Sequence, residues 1–195
     1  ALKYRLNALN LAFIDREFYP SPNALYKDGQ QSVKVNEEQI MWRRSGEFCA
    51  KAAYFKDGIK PEDVEQGRLG NCWFCCSLAS MSERPALIKR LFVTQSGGRE
   101  GIHVVRFWHN GMEKEVVLDD YFPCKPYSTP IYTKTKKDEL WVAILEKAYA
   151  KLCGCYESLV SGSPFHSLCD LTGNPAEIFE LNEYEQAGSR LDEVW

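Results

Sequence analysis

The chain has 195 residues, 45% of them hydrophobic and 26% charged, ordinary values for a soluble globular protein that buries a sizeable core as one domain or as a large lobe of a bigger one. A formal net charge of −3 gives no electrostatic case for nucleic acid, no apolar stretch approaches the roughly 20 residues of a membrane span, and the N-terminus lacks the apolar core of a signal peptide, so the chain reads as intracellular and cytoplasmic. Its eight cysteines are unevenly spaced in a chain long enough to fold without staples, and most read as small, reduced core residues.

Residues 1–11 form an amphipathic or extended lead-in. Phe13-Ile14-Asp15-Arg16-Glu17-Phe18-Tyr19-Pro20 follows, a short acidic and aromatic segment that Pro20-Ser21-Pro22-Asn23 ends. Polar and turn residues dominate positions 24–36, which predicts a surface excursion, and Met41-Trp42-Arg43-Arg44 supplies an aromatic anchor for a wandering loop. Residues 55–64 carry Asp57, Glu62 and Asp63 with Gly58 and Pro61. Taken alone this is a solvated loop. Oxygen-rich loops of this kind also suit calcium, which takes about 6–8 oxygen ligands, although the EF-hand spacing is absent.

The next stretch, Gln66-Gly67-Arg68-Leu69-Gly70-Asn71-Cys72-Trp73-Phe74-Cys75-Cys76-Ser77-Leu78-Ala79, runs a glycine-punctuated turn into helical periodicity. Gly67 and Gly70 permit backbone angles that other residues resist, and Phe74, Leu78 and Met81 recur at i, i+4, i+7 on one helix face. Cys72 therefore falls on the first turn, where unpaired N–H groups and the positive end of the helix dipole favour a thiolate nucleophile. Gln66 folds back across the turn, so that its amide and the Cys72 N–H form an oxyanion hole, each donor worth roughly 3 kcal/mol. Two other chemistries are weaker. A zinc site from Cys72-x-x-Cys75 and Cys153-x-Cys155 has the wrong spacing in its second pair, and a thiol oxidoreductase lacks a surrounding βαβ pattern.

The nucleophile helix is predicted to run from Cys72 to about Arg84, with Pro85 stopping it or starting the next, an amphipathic helix carrying Leu87, Ile88, Leu91 and Phe92. Residues 102–108 and 114–119 have β character around Asn110-Gly111, a hairpin turn, with Ile131-Tyr132 as a possible third strand of a small antiparallel sheet. His103 and His109 sit on that hairpin, which argues against either as a catalytic base. Lys134-Thr135-Lys136-Lys137 reads as a solvated loop. From Asp138, an N-cap, to Gly154, a C-terminal stop, the periodicity is helical, with Trp141, Ile144, Leu145, Ala148, Tyr149 and Leu152 inside and Glu146, Lys147 and Lys151 outside. Pro164 opens a short helix over 165–171 closed by Gly173, and the remainder is a connector. The fold class is α+β: a mainly helical lobe with a central nucleophile helix and a small antiparallel sheet.

The segment Gln66-Gly-x-Leu-Gly-Asn-Cys-Trp-Phe, with Trp141-x-x-x-Leu145-Glu146-Lys147-Ala148-Tyr149-Ala150-Lys151-Leu152-x-Gly154-x-Tyr156-Glu157 and Asp170-Leu171-Thr172-Gly173, resembles the calpain family of papain-like, calcium-regulated cysteine proteases from about Phe13 onward. The resemblance extends to the acidic-aromatic opening and to Met41-Trp42-Arg43-Arg44. It implies Cys72 as nucleophile, Gln66 as oxyanion-hole donor and a cleft lined at Ser161-Gly162, where the family has Gly-Gly and this chain keeps Gly162. It also implies a calcium site at Gly58, Asp63 and Glu139, with the arginine that family members carry just before this aspartate replaced by Pro61 or its neighbours, so that calcium coupling is weakened or rewired. Trp73 packs at a seam with another lobe or in the core. Papain-like enzymes place their histidine roughly 130–150 residues after the cysteine, and no histidine here lies beyond His166. Residues 1–195 therefore read as the first, cysteine-bearing subdomain of an endopeptidase acting on protein substrates, inactive without the missing second subdomain; the alternative is a noncatalytic calpain-like binding module.

Overall fold

A computed structural model of the chain describes residues 6, 9, 11–30, 40–49, 53–94, 96, 98–133 and 139–178. Among them are helices α1 (Pro22–Leu25), α2 (Ser45–Phe48), α3 (Cys72–Ser82), α4 (Pro85–Lys89), α5 (Trp141–Cys153) and α6 (Pro164–Thr172). Four strands, β1 (Met41–Arg44), β2 (Ile102–His109), β3 (Met112–Asp119) and β4 (Tyr121–Cys124), form two antiparallel pairs, and 3-10 turns occupy Pro61–Asp63 and Tyr156–Leu159. The class is the expected α+β. The loop at residues 134–137, the cap expected at Asp138 and most of the connector after α6 lie outside the described residues.

Helix α3 starts at Cys72, as the periodicity predicts, and buries Phe74, Leu78 and Met81. It stops at Ser82, and Pro85 at the first helical position opens α4, where its missing N–H costs nothing. The β2–β3 hairpin turns on Asn110 and Gly111, with φ of 54° and 74°; positive φ at both centre positions is what a type I′ turn requires. Ile131 and Tyr132 do not extend that hairpin. β3 breaks at Asp120, whose carboxylate pairs with Arg44 and accepts the Ser45 hydroxyl (3.0 Å), so the chain bends away and β4 pairs with β1. Ile131 N–H then donates to Pro123 O (3.0 Å), which lays residues 130–132 along β4. Met41–Arg44 is thus a strand, not a wandering loop, and the expected surface excursion begins in the core, since Ala24, Leu25 and Tyr26 are buried.

Helix α5 departs most from its sequence pattern. Every residue from Trp141 to Ala150 is buried, including Glu146 and Lys147, which the amphipathic pattern places outside. The apolar stripe marks one face of α5, but the hairpin, the second sheet and the turn before α3 close over the others. Lys147 Nζ donates to Asp119 Oδ1 (2.5 Å), Asp119 O (3.0 Å) and Tyr121 O (2.6 Å), using all three ammonium protons where β3 passes into β4. Burial pulls the Lys147 pKa down, opposed by the neighbouring Asp119 carboxylate. One turn on, Lys151 Nζ donates to Asp15 Oδ2 (2.8 Å) and Val117 O (2.8 Å), while Asp15 N–H donates to Asp119 Oδ2 (2.8 Å). The acidic-aromatic opening is thereby tied to the hairpin and to α5.

Lys147→Ala leaves Asp119 buried without its cation, which costs about 3–5 kcal/mol in comparable pairs. Urea unfolding of the variant is expected to show a midpoint lowered to match. A shift no larger than that of Arg106→Ala, whose partners Glu113 and Glu115 are half exposed, would contradict a dominant role for the buried pair.

Candidate active site

Asn71 occupies the N-cap position of α3 but does not cap it: its side chain makes no hydrogen bond to the first turn. Asn71 Nδ2 instead donates to Glu146 Oε1 on α5 (2.6 Å), and Asn71 Oδ1 accepts the Cys75 thiol (3.8 Å). The first-turn N–H groups of α3 are therefore left without the usual side-chain acceptor, beside an exposed Cys72. A thiol and an uncapped helix start are thus presented together.

Gln66 Nε2 donates to Leu69 O (2.9 Å), within the turn that leads to Cys72. An amide nitrogen carries two protons, so one donor remains after that bond. Gly67 is not at positive φ, and a Cβ there would collide with the carbonyls of Ile131 and Tyr132, against which the turn is held by Arg68 N–H to Ile131 O (3.0 Å). Gly70 also lacks a positive φ and has ordinary room, with Val160 at 3.6 Å from where a Cβ would stand.

Trp73 is buried in this chain, its Nε1 donating to Leu159 O (2.9 Å), and its ring lies across Gly162 so closely that any Cβ would overlap it. Gly162 is exposed, and its immediate requirement is the approach of Trp73. Ser161, with φ of 65°, takes the left-handed conformation that glycine accepts more readily, and its N–H donates to Gly70 O (3.0 Å). The 159–162 strap thus packs directly against the turn that precedes Cys72.

His103 is buried with Nδ1 2.6 Å from Tyr54 Oη; His109 Nδ1 is 3.1 Å from Asp170 Oδ2, which also accepts the Tyr149 hydroxyl (2.9 Å); exposed His166 lines a groove of about 600 Å³ with His109 and Asp170.

A sequence model described as calpain family cysteine protease matches residues 13–194. The chain belongs to the calpain family. Similar curated relatives include mouse calpain-10 (34% identical over 185 residues, 92% of this chain and 28% of that protein) and human calpain-8 (37% over 176 residues, 88% and 25%). The calpain-type cysteine protease ADL1 of rice is 37% identical over 176 residues, 87% of this chain and 8% of that protein. The chain thus spans between about a twelfth and a little over a quarter of the calpains it matches.

Among the described residues, no cluster of three or more His, Cys, Asp or Glu side chains is placed to hold a metal ion. The residues that the calpain resemblance assigns to calcium instead brace one loop at two points. Glu139 Oε1 accepts Lys56 N–H (2.7 Å) and Asp57 N–H (3.2 Å), and its Oε2 accepts Trp141 Nε1–H (3.1 Å). Asp63 Oδ2 accepts Lys60 N–H (2.8 Å) across the 3-10 turn. Gly58, exposed and at φ 93°, bends the chain between those points. An all-oxygen set of this kind matches a hard cation, and both carboxylates already serve the same ten-residue loop.

Sequence reasoning missed Glu146. It is buried, accepts Asn71 from one side and Thr133 N–H from the other (3.1 Å to Oε2), and so fixes the residue before Cys72 to the middle of α5. Burial pushes its carboxyl up to about 7, with the hydrogen bonds from Thr133 and Asn71 pulling the other way. Between the ordinary 4.5 and about 7, the unfolded chain releases this proton while the folded chain keeps it, so its stabilising effect is complete below 4.5 and is lost as pH rises through about 7. Relative to Glu146→Gln, the wild type is expected to lose about 3 kcal/mol of stability across that window. Urea midpoints of both proteins at pH 5 and pH 8 measure it, and a difference that does not change with pH would show that Glu146 keeps its charge in the fold.

Proposed function

We propose that this chain is the cysteine-bearing lobe of an intracellular, calcium-regulated calpain protease, with Cys72 as the nucleophile that attacks the scissile carbonyl of protein substrates. The observation that carries this reading is the exposure of Cys72 at the first residue of α3, with the cap side chain turned inward to Glu146. In this reading Cys72 Sγ forms the acyl bond, while the Cys72 N–H and the remaining Gln66 amide proton stabilise the tetrahedral oxyanion. Asn71, held by Glu146, positions that turn. Gly162 borders the cleft on the far side of Trp73 and allows substrate backbone to approach.

The base that takes the thiol proton comes from a second subdomain. His103 contacts Tyr54 and His109 contacts Asp170, and these engagements support an inactive isolated lobe. Calcium belongs, on this reading, at the 55–64 loop, held by the Asp63 and Glu139 carboxylates with the Gly58 carbonyl; when bound it supplies positive charge that stiffens the loop leading into Gln66. Before that, each carboxylate already holds backbone N–H groups of the loop, so the loop is partly ordered for the ion.

Titration calorimetry of the chain with calcium chloride is expected to give a saturable, roughly one-site isotherm that Asp63→Ala abolishes. No heat at millimolar calcium would remove calcium from the account. For the chemistry, hydrolysis of a protein substrate by the full-length protein is expected to fall by at least about a thousandfold in Cys72→Ser. Undiminished hydrolysis in that variant would overturn the assignment of the nucleophile.

A further inference from the structure

The pair Cys72-x-x-Cys75 is left unexplained by an acyl-transfer site, which needs one thiol. Both residues lie in the first turn of α3, and both are free. Helix geometry sets Cα atoms three residues apart at about 5 Å, inside the roughly 4.4–6.8 Å range that a disulfide spans. Their surroundings differ. Cys72 is exposed, whereas Cys75 is buried, and its sulfur runs back along the helix to within 3.8 Å of Asn71 Oδ1, over the turn that carries Cys72. Cys76, four residues after Cys72, is also exposed and is the competing partner that the test must separate from Cys75.

We propose that Cys72 and Cys75 close reversibly into a disulfide across the first turn of α3, which masks the exposed thiol under hydroperoxide stress and returns it on reduction. The Cys72 thiolate attacks a peroxide oxygen: an S–O bond forms, the O–O bond breaks, and sulfenic acid and hydroxide result. The Cys75 thiol then attacks that sulfur, forming the S–S bond while the S–O bond breaks and the oxygen leaves as water with the thiol proton. The cysteine pair has lost two electrons to the peroxide, and a dithiol restores both thiols by two exchanges. Burial pushes the Cys75 thiol up to about 12, with the charges of Glu146, Cys76 and Cys72 acting in the same direction, so Cys72 is the sulfur oxidised first and Cys75 the one that resolves it. The lock depends on the exposure of Cys72 and on the position of Cys75, not on Cys72 being a protease nucleophile.

The test is made on the unmodified chain. After equimolar hydrogen peroxide, remaining thiols are alkylated with iodoacetamide and the chain is digested with trypsin. Pro85 blocks cleavage after Arg84, so Cys72, Cys75 and Cys76 share the peptide 69–89. That peptide is expected to carry its single alkyl group on Cys76 and to have lost two hydrogens; treatment with dithiothreitol before alkylation restores three alkyl groups. Cys76→Ser keeps the cross-link, and Cys75→Ser loses it and gives a dimedone adduct at Cys72. An alkyl group on Cys75, which pairs Cys72 with Cys76, or Cys72 passing to sulfinic acid with no cross-linked peptide, would overturn the proposal. Because the wild-type fragment ions locate the bond, a misfolded variant does not blur the result. Proteolysis by the full-length protein that does not depend on Cys72 would remove the protease reading and leave this mass result standing.

Discussion

Two neighbouring ionisable side chains in the middle of a buried helix hold the structure together. Successive residues on a helix leave it about 100° apart, so Glu146 and Lys147 depart α5 in different directions. Lys147 gathers the end of β3 and the start of β4, and Glu146 gathers Asn71 and Thr133. Ionisable groups this deep are costly unless every proton and lone pair has a partner. Here the partners come from segments far apart in sequence, so the requirement to satisfy Glu146 and Lys147 fixes where the hairpin, the second sheet and the turn before Cys72 lie around α5. The aromatic packing agrees with this arrangement: Phe74 of α3 stacks on Tyr149 of α5 with ring centroids 4.7 Å apart.

The site follows from that constraint. Asparagine before a helix normally caps it, and here its side chain bonds instead to Glu146, which leaves the start of α3 at Cys72 without a side-chain cap. The turn before it is pressed against the Ile131–Tyr132 backbone at Gly67, and the 159–162 strap is pressed against Trp73 at Gly162. Both glycines answer to close approach, which loads the two sides of the Cys72 turn with rigid backbone. Cys72 is thus exposed on a turn braced from three directions, which suits the nucleophile role proposed for it.

Much of this was legible in the sequence where the signal is local. The start of α3 at Cys72, the Asn110-Gly111 hairpin, the Gly154 stop of α5 and the proline opening α4 are all set by residues within a few positions of the feature, and the nucleophile segment together with the 141–157 pattern sufficed for the family resemblance. What escaped depends on partners distant in the chain. β1 has a strand only because β4, some 80 residues on, offers it an edge, and residues 24–26 are core only because other elements cover them. Glu146 and Lys147 read as solvent-facing because helical periodicity reports hydrophobicity, not whether a charge has a buried partner waiting. Gly67 and Gly162 were recognised as special, but no sequence pattern tells a glycine needed for its backbone angle from one needed for a neighbour's bulk.

The most direct test of the account is the order in which the cysteines react. Cys72, Cys76 and Cys153 are all exposed, so accessibility alone does not separate them. Limited alkylation of the reduced chain with iodoacetamide near neutral pH, followed by peptide mapping, ranks their rates. The account predicts that Cys72 is labelled well ahead of the other two, because only it stands at an uncapped helix start. Labelling of Cys76 or Cys153 as fast as Cys72 would mean that the turn built on Glu146 and Asn71 confers no special reactivity, and the nucleophile assignment would lose its physical basis.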